Sequence, residues 1–213
     1  YECRWAWTAG EEKLAFEWFV DLVMARWSQH PGMHVYHFSG YEPGALKRLM
    51  GRHGTREDEI DRILRGRVLV DLHTVLKRAI RASVETYSLK ALEAFHGFER
   101  KIPLDQAGQA MRRLQHALEL GNAGGIDQAV KDTVQDYNAD DCYSTLALRD
   151  LLEGERAKAG EDLARPVLPD PAAPENVTER QQRAAELAAR LRSMEQPGCE
   201  LLSHLLDWYR RES

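Results

Sequence analysis

The run Val68-Leu69-Val70, preceded by Arg67 and closed by Asp71-Leu72, constrains the fold more than any other stretch. It is apolar without alternation and has the length of a strand, as expected of a buried central or parallel strand. Residues 33–38, Met33 to Phe38, read as a second strand entered from the helix breaker His30-Pro31-Gly32. Helical periodicity before, between and after these runs predicts an α/β fold rather than a bundle.

The remaining elements follow from local signals. Tyr1, Cys3, Trp5 and Trp7 alternate with other residues, the period of a half-buried strand over 1–7. Thr8 and Glu11 form a capping-box signature for a helix over 10–27, with Leu14, Trp18 and Leu22, joined by Phe19, Val23 and Trp27, as its apolar stripe. Pro43 at a first helical position predicts a helix over 44–52 and leaves Glu42 in an exposed loop after a strand. Thr55, with Asp58, caps a short helix to 64; further helices are expected over 73–81, from Ser88 to Gly97, over 104–120 with Ala107, Met111, Leu114 and Leu118 inward, and over 126–152. Beyond it, 153–175 is rich in charge and proline and reads as a linker, followed by helices over 178–194 and 201–208.

With 213 residues, 43% hydrophobic and 30% charged, the chain has the composition of a soluble globular domain with an appendage. It opens on Tyr1 in what reads as the interior of a strand, so it is expected to be a piece of a longer protein. No apolar run approaches the roughly eighteen residues of a membrane span. Three widely spaced cysteines without CxxC or His companions argue against a disulfide framework or a zinc site, and a cytoplasmic location fits. The net charge of −5 argues mildly against nucleic acid. Yet between Lys47 and Arg81 ten Lys/Arg stand against five Asp/Glu, leaving room for a phosphate-binding surface as well as for solvated, ion-paired helices.

Three acids share one property: each lies where a regular element presents its end or face toward one edge of the sheet. Glu42 follows a strand, Asp71 ends one, and Asp141 projects from a helix on the same face as Tyr137, four residues earlier. Phosphodiester hydrolysis by paired Mg2+ or Mn2+ ions about 4 Å apart needs such a carboxylate cluster, and Tyr137 could orient the attacking water. The alternative for the Tyr/Asp pair is an ordinary helix surface. Asp71 reads as a helix cap or as an acid supporting a ligand from behind more readily than as a ligand itself. Asp140 points about 100° from Asp141 on a helix and is expected to be solvated. Lys90 could meet a phosphate or simply flank the Ser88 cap. Trp5, Trp7, Trp18 and Trp27 could stack bases, but their spacing favours core packing.

The segment His37-Phe38-Ser39-Gly40-Tyr41-Glu42-Pro43 resembles the second motif of the DEDD exonucleases, and Tyr137-Asn138-Ala139-Asp140-Asp141 resembles their third motif in its tyrosine form, YxxxD. Together with Ala82 to Lys90 and Cys142 to Thr145, these stretches are similar to the nuclease region of bacterial RecB-like nuclease-helicase proteins. The resemblance implies a ribonuclease-H-like domain over 1–152, with a mixed sheet flanked by helices and lacking its first strand or strands. The linker over 153–175 and a helical extension over 176–213 would follow. It implies Glu42 and Asp141 as metal ligands and Tyr137 as the water-positioning phenol; Asp71 has no equally firm counterpart in that family, and it and Asp140 are candidates only for acids supporting a ligand from behind. Mg2+ or Mn2+ would be the cofactor, and DNA or RNA the partner, with Lys90, Lys47, Arg48 and Arg52 as candidate nucleic-acid contacts. A helicase region of the same parent chain is a further implied partner. The family's first motif, DxE, has no counterpart before Glu42, so this chain is expected to bind metal weakly and to cleave little or nothing; a non-catalytic nucleic-acid-binding or scaffolding module is the alternative. A sheet missing a strand would also leave an edge through which two copies could pair.

Overall fold

A computed structural model of the protein describes residues 1–160, 168, 172, 175–194 and 196–206. Its elements run α1 (Ala9–Gln29), β1 (Val35–His37), α2 (Tyr41–His53), α3 (Glu57–Arg65), β2 (Leu69–Asp71), α4 (Leu72–Ala79), α5 (Leu89–His96), α6 (Leu104–Glu119), a 3-10 turn at Ala123–Gly125, α7 (Gln128–Lys158), α8 (Glu175–Ser193) and α9 (Cys199–Leu205). The architecture is thus mostly helical around a small sheet. The two strands pair in parallel, with Val35 opposite Leu69, Tyr36 opposite Val70 and His37 opposite Asp71. Helices α2 and α3 form the crossover that a parallel pair requires.

Burial follows the apolar run. Val68 is fully buried in a cluster with Phe16, Val20, Val23, Leu46, Ile60 and Ile63, which joins α1, α2 and α3 beneath the sheet. A second cluster, Leu72, Leu76, Leu89, Leu92 and Leu148, fixes α4, α5 and α7 against one another, and Tyr36, Phe38 and Val70 pack onto it. The strands therefore sit between two apolar layers, and helix α7 crosses the second. A third cluster of Ala110, Ile126, Val130 and Val134 holds α6 on the first half of α7.

Several expectations change. Residues 1–7 form no strand. Trp5 and Trp7 do fall on one side, with rings stacked 5.1 Å apart, but Trp5 Nε1 donates to Gln135 and Lys131 lies over Trp7, so the extended segment is held by side chains of α7 rather than by a ladder. In α1 the capping box of Thr8 and Glu11 is present, yet the buried face is Phe16, Val20 and Val23, and Leu14 is 66% exposed. Apolar residues surround most of this helix, so periodicity alone selects no face; α2 and α3 do. In α6 the small residues Ala107 and Ala110 are buried while Met111 and Leu118 are exposed, because Ala allows the close approach to α7. Thr55 does not cap α3: Arg56, in the left-handed region, precedes the helix, and the Thr55 hydroxyl donates to Glu17 at 2.6 Å. Helix α7 continues to Lys158. Pro166, Pro169, Pro171 and Pro174 of the expected linker, and the final helix beyond 206, lie outside the described residues. Helices α8 and α9 pack on each other, with Ala188, Cys199 and Ser203 buried.

Candidate active site

The carboxyl ends of β1 and β2 lie side by side, the position at which open parallel sheets offer a crevice. Ser39 knots the two ends together. Its φ of 77° is in the left-handed region, which a serine rarely adopts and which is held here by bonds on both sides. Its N–H donates to Asp71 Oδ1 at 2.8 Å, and its carbonyl accepts from His37 Nδ1 at 2.6 Å. A carbonyl can only accept, so Nδ1 of His37 carries a proton.

Asp71 is consumed by this knot. Besides Ser39 it accepts from the His73 N–H at 3.0 Å and from the Thr74 hydroxyl at 2.6 Å, which makes it the N-cap of α4. Burial works to raise its pKa, but these donors and the nearby His37 outweigh it and hold the carboxyl below its ordinary 3.8. Of the two readings of Asp71, the geometry is that of the cap.

Glu42 stands in the first turn of α2 rather than in a loop, because that helix begins at Tyr41 with Gly40 as its cap. Its side chain is about half exposed, and Oε2 lies 3.5 Å from His37 Nδ1. Burial pushes His37 down, yet the hydrogen bonds to Glu42 and to the Ser39 carbonyl, and the fields of Glu42 and Asp71, raise it above its ordinary 6.5. The imidazole is thus favoured as a cation below Glu42. An NMR titration of the His37 ring is expected to give a midpoint above 6.5, and Glu42→Gln should lower it. Since the folded-state value is raised, the stability His37 contributes is full below 6.5 and is lost as pH climbs through that midpoint.

On α7 the two adjacent aspartates do different things. Asp140 was expected in solvent but is only 2% exposed. It shares its face with the buried Ser144 and Leu148, four and eight residues on, and its Oδ2 accepts the backbone N–H groups of Lys101 at 2.9 Å and Ile102 at 3.1 Å. Two backbone donors supply the compensation that a buried carboxylate requires. Asp141, on the flank, keeps a side chain 34% exposed, and its Oδ1 receives Arg100 Nη2 at 2.6 Å with Lys90 Nζ 3.9 Å away. Lys90 Nζ and the Arg100 guanidinium both lie over the Tyr137 ring at 5.2 Å. Tyr137, Asp141 and Lys90 are therefore brought together.

The Cys142 thiol is pushed up by burial, by Asp141 and by Glu42, so it feels both carboxylates. Even so, among the described residues no three His, Cys, Asp or Glu side chains come together in a way that could hold a metal ion.

The remaining basic candidates separate. Arg52 is tied to Glu12 at 3.0 Å, while Lys47 and Arg48 are exposed on α2, Arg48 stacking loosely over Tyr41 at 5.8 Å. Further along the basic stretch, Arg56 pairs with Asp21 and Arg65 with Asp61. Two residues escaped the sequence reading altogether, Glu93 and Arg100. Arg100 Nη2 also lies 2.6 Å from Glu93 Oε1, which in turn accepts from the buried Ser144 hydroxyl at 3.2 Å. No motif surrounds either residue; only the packing of α5, which carries Glu93, and of the connection after it, which carries Arg100, beside α7 brings them to Asp141.

The family model of the RNase H superfamily matches residues 6–153, a span that contains Glu42, Tyr137 and Asp141. Neither a curated protein nor a solved structure matches the chain. No helix among the described residues is long and apolar enough to cross a membrane.

Proposed function

Because the chain belongs to the RNase H superfamily, we propose that it is a nuclease-type domain that binds DNA or RNA, of the DEDDy 3′-5′ exonuclease kind, with Glu42, Tyr137 and Asp141 as the acting residues. The observation that carries this reading is the family match across 6–153, which spans both the Glu42 segment and the Tyr137–Asp141 segment. Nucleases of this type usually draw on divalent cations to stabilise charge on the phosphate. The carboxylates of this chain do not fit such ions as they stand. Asp71 and Asp140 are engaged by backbone donors, Asp141 is paired with Arg100, and Glu42 has His37 as its neighbour. No DxE pair precedes Glu42 in the sequence. We therefore propose that this chain holds Mg2+ or Mn2+ weakly and hydrolyses nucleic acid slowly or not at all.

The pairing of Asp141 with Arg100 also favours a second reading, a nucleic-acid-binding module without catalysis. Binding of a labelled single-stranded oligonucleotide, followed by anisotropy as salt is raised, tests what the two readings share. Affinity is expected to fall steeply with ionic strength, as counterion release requires. Lys47→Ala and Arg48→Ala should flatten that slope more than Arg52→Ala, whose guanidinium is already neutralised by Glu12. Absence of binding at low salt contradicts both readings and leaves a structural role. A helicase region as partner, a cytoplasmic setting and pairing of two copies through the sheet edge belong to the same proposal. A strict monomer in sedimentation at high concentration contradicts the last.

A further inference from the structure

Arg100 carries buried donors that no acceptor satisfies. Its side chain is 8% exposed, and a single nitrogen, Nη2, meets both Glu93 Oε1 and Asp141 Oδ1 at 2.6 Å. Nε and Nη1 are buried with no hydrogen-bond partner among the described residues. Both two-donor edges of a guanidinium include Nη2, so each edge here lacks the second of its oxygens. A buried donor left open costs free energy that a bound oxygen offsets, and a guanidinium edge fits the oxygens of a phosphate two at a time. Lys90 adds a second cation. Its Nζ is 3.9 Å from Asp141 Oδ1, beyond hydrogen-bond reach, and it stands with the Arg100 guanidinium over the Tyr137 ring, each 5.2 Å from the centroid. Asp140 accepts the amides of Lys101 and Ile102, so the segment bearing Arg100 is clamped onto α7 whatever the guanidinium holds.

We propose that Arg100 and Lys90 form a binding site for a phosphate group of a nucleic-acid strand, one that needs no divalent cation, and that the Asp141 carboxylate occupies this site until a phosphate displaces it. Of the two carboxylates on Nη2, Asp141 is the one free to leave. Its side chain is 34% exposed against 13% for Glu93, which the buried Ser144 hydroxyl holds from behind. With Asp141 turned to solvent, Arg100 and Lys90 face Glu93 alone, and the surplus positive charge matches the single negative charge of a phosphodiester. The way in lies past Lys90 and Asp141, both partly exposed. One phosphate oxygen takes Nη2 from Asp141 and another takes the open nitrogen beside it, while Lys90 binds from the solvent side. The inference rests on the nucleic-acid-binding reading for the source of its phosphate; the same chemistry would take a terminal or a free phosphate.

The test is the anisotropy of a labelled single-stranded oligonucleotide titrated with the whole chain at low salt in EDTA. Asp141→Asn is expected to tighten binding about tenfold, because the competing charge is gone. Arg100→Gln should weaken it about tenfold and cancel the gain when combined with Asp141→Asn, and Lys90→Ala should weaken it about threefold. Unchanged or weaker binding by Asp141→Asn overturns the proposal, as does a gain that survives Arg100→Gln. Should Arg100→Gln not fold, Arg100→Lys keeps the charge but loses the two-donor edge and is expected to weaken binding about threefold; no change there is equally fatal. Strands with and without a terminal phosphate separate the sources: equal affinity assigns the site to the diesters of the strand, and tighter binding of the phosphorylated strand assigns it to a chain end. Equal binding of the strand by every variant would overturn the site and leave the nucleic-acid reading standing. Arg100-dependent broadening of the phosphorus NMR signal of inorganic phosphate by Asp141→Asn, with no strand bound, would uphold the site and count against that reading.

Discussion

Asp140→Ala is expected to lower the unfolding free energy by about 3 kcal/mol, more than any substitution at Asp141. The change strips the acceptor from two backbone N–H groups, Lys101 and Ile102, at a place where the carboxylate is almost fully enclosed. Both amides would then be left without the partner that offsets their burial. Asp140→Asn keeps one oxygen and should cost roughly half as much, about 1.5 kcal/mol. Asp141→Asn removes only the charge of a carboxylate about one-third exposed beside Arg100 and Lys90, and should cost less again. Urea unfolding of the three variants gives the order directly. If Asp141→Asn proves the most damaging, the division of labour between the two aspartates is wrong.

Asp71→Ala is the second large effect, about 2 to 3 kcal/mol, since it removes a helix cap and the bond from Ser39 that joins the strand ends. The effect carries a pH signature. The carboxyl is held below 3.8 in the folded protein, so its contribution is present above 3.8 and is lost as pH falls through the lower folded value. The stability gap between the wild type and Asp71→Asn should therefore be seen at neutral pH and shrink in acid. A gap independent of pH would mean that the charge on Asp71 does not serve the cap.

What the sequence disclosed and what it hid have physical reasons. The Val68 to Asp71 run was legible because a strand covered on both faces has no polar alternation to disguise it, and Asp71 falls at its end as a cap would. Ser88 and Gly97 bracket α5 as their capping chemistry demands, the serine accepting from Ala91 N–H and the glycine adopting φ 67°. The strand expected over 1–7 failed for an instructive reason. Alternation marks any extended backbone, whereas a strand also needs a neighbouring edge, and these residues meet side chains of α7 instead.

Burial on long helices was the other blind spot. Asp140 and Asp141 differ by one position on α7, and a charged residue gives no sign of facing inward until its partners are known. Those partners are backbone amides about forty positions earlier, which no local pattern reveals. Similarly, Tyr137 and Asp141 share a flank as their spacing requires, but the cations over them come from Lys90 and Arg100 on other segments.

Incubation of the chain with end-labelled single-stranded DNA and RNA in Mg2+ or Mn2+, compared with Asp141→Asn, tests the central claim most directly. Binding of the strand by both proteins, with little or no shortening of it by either, is the expected outcome. Rapid divalent-dependent trimming by the wild type that disappears in Asp141→Asn would contradict it, and would show that Glu42 and Asp141 suffice for hydrolysis despite Arg100.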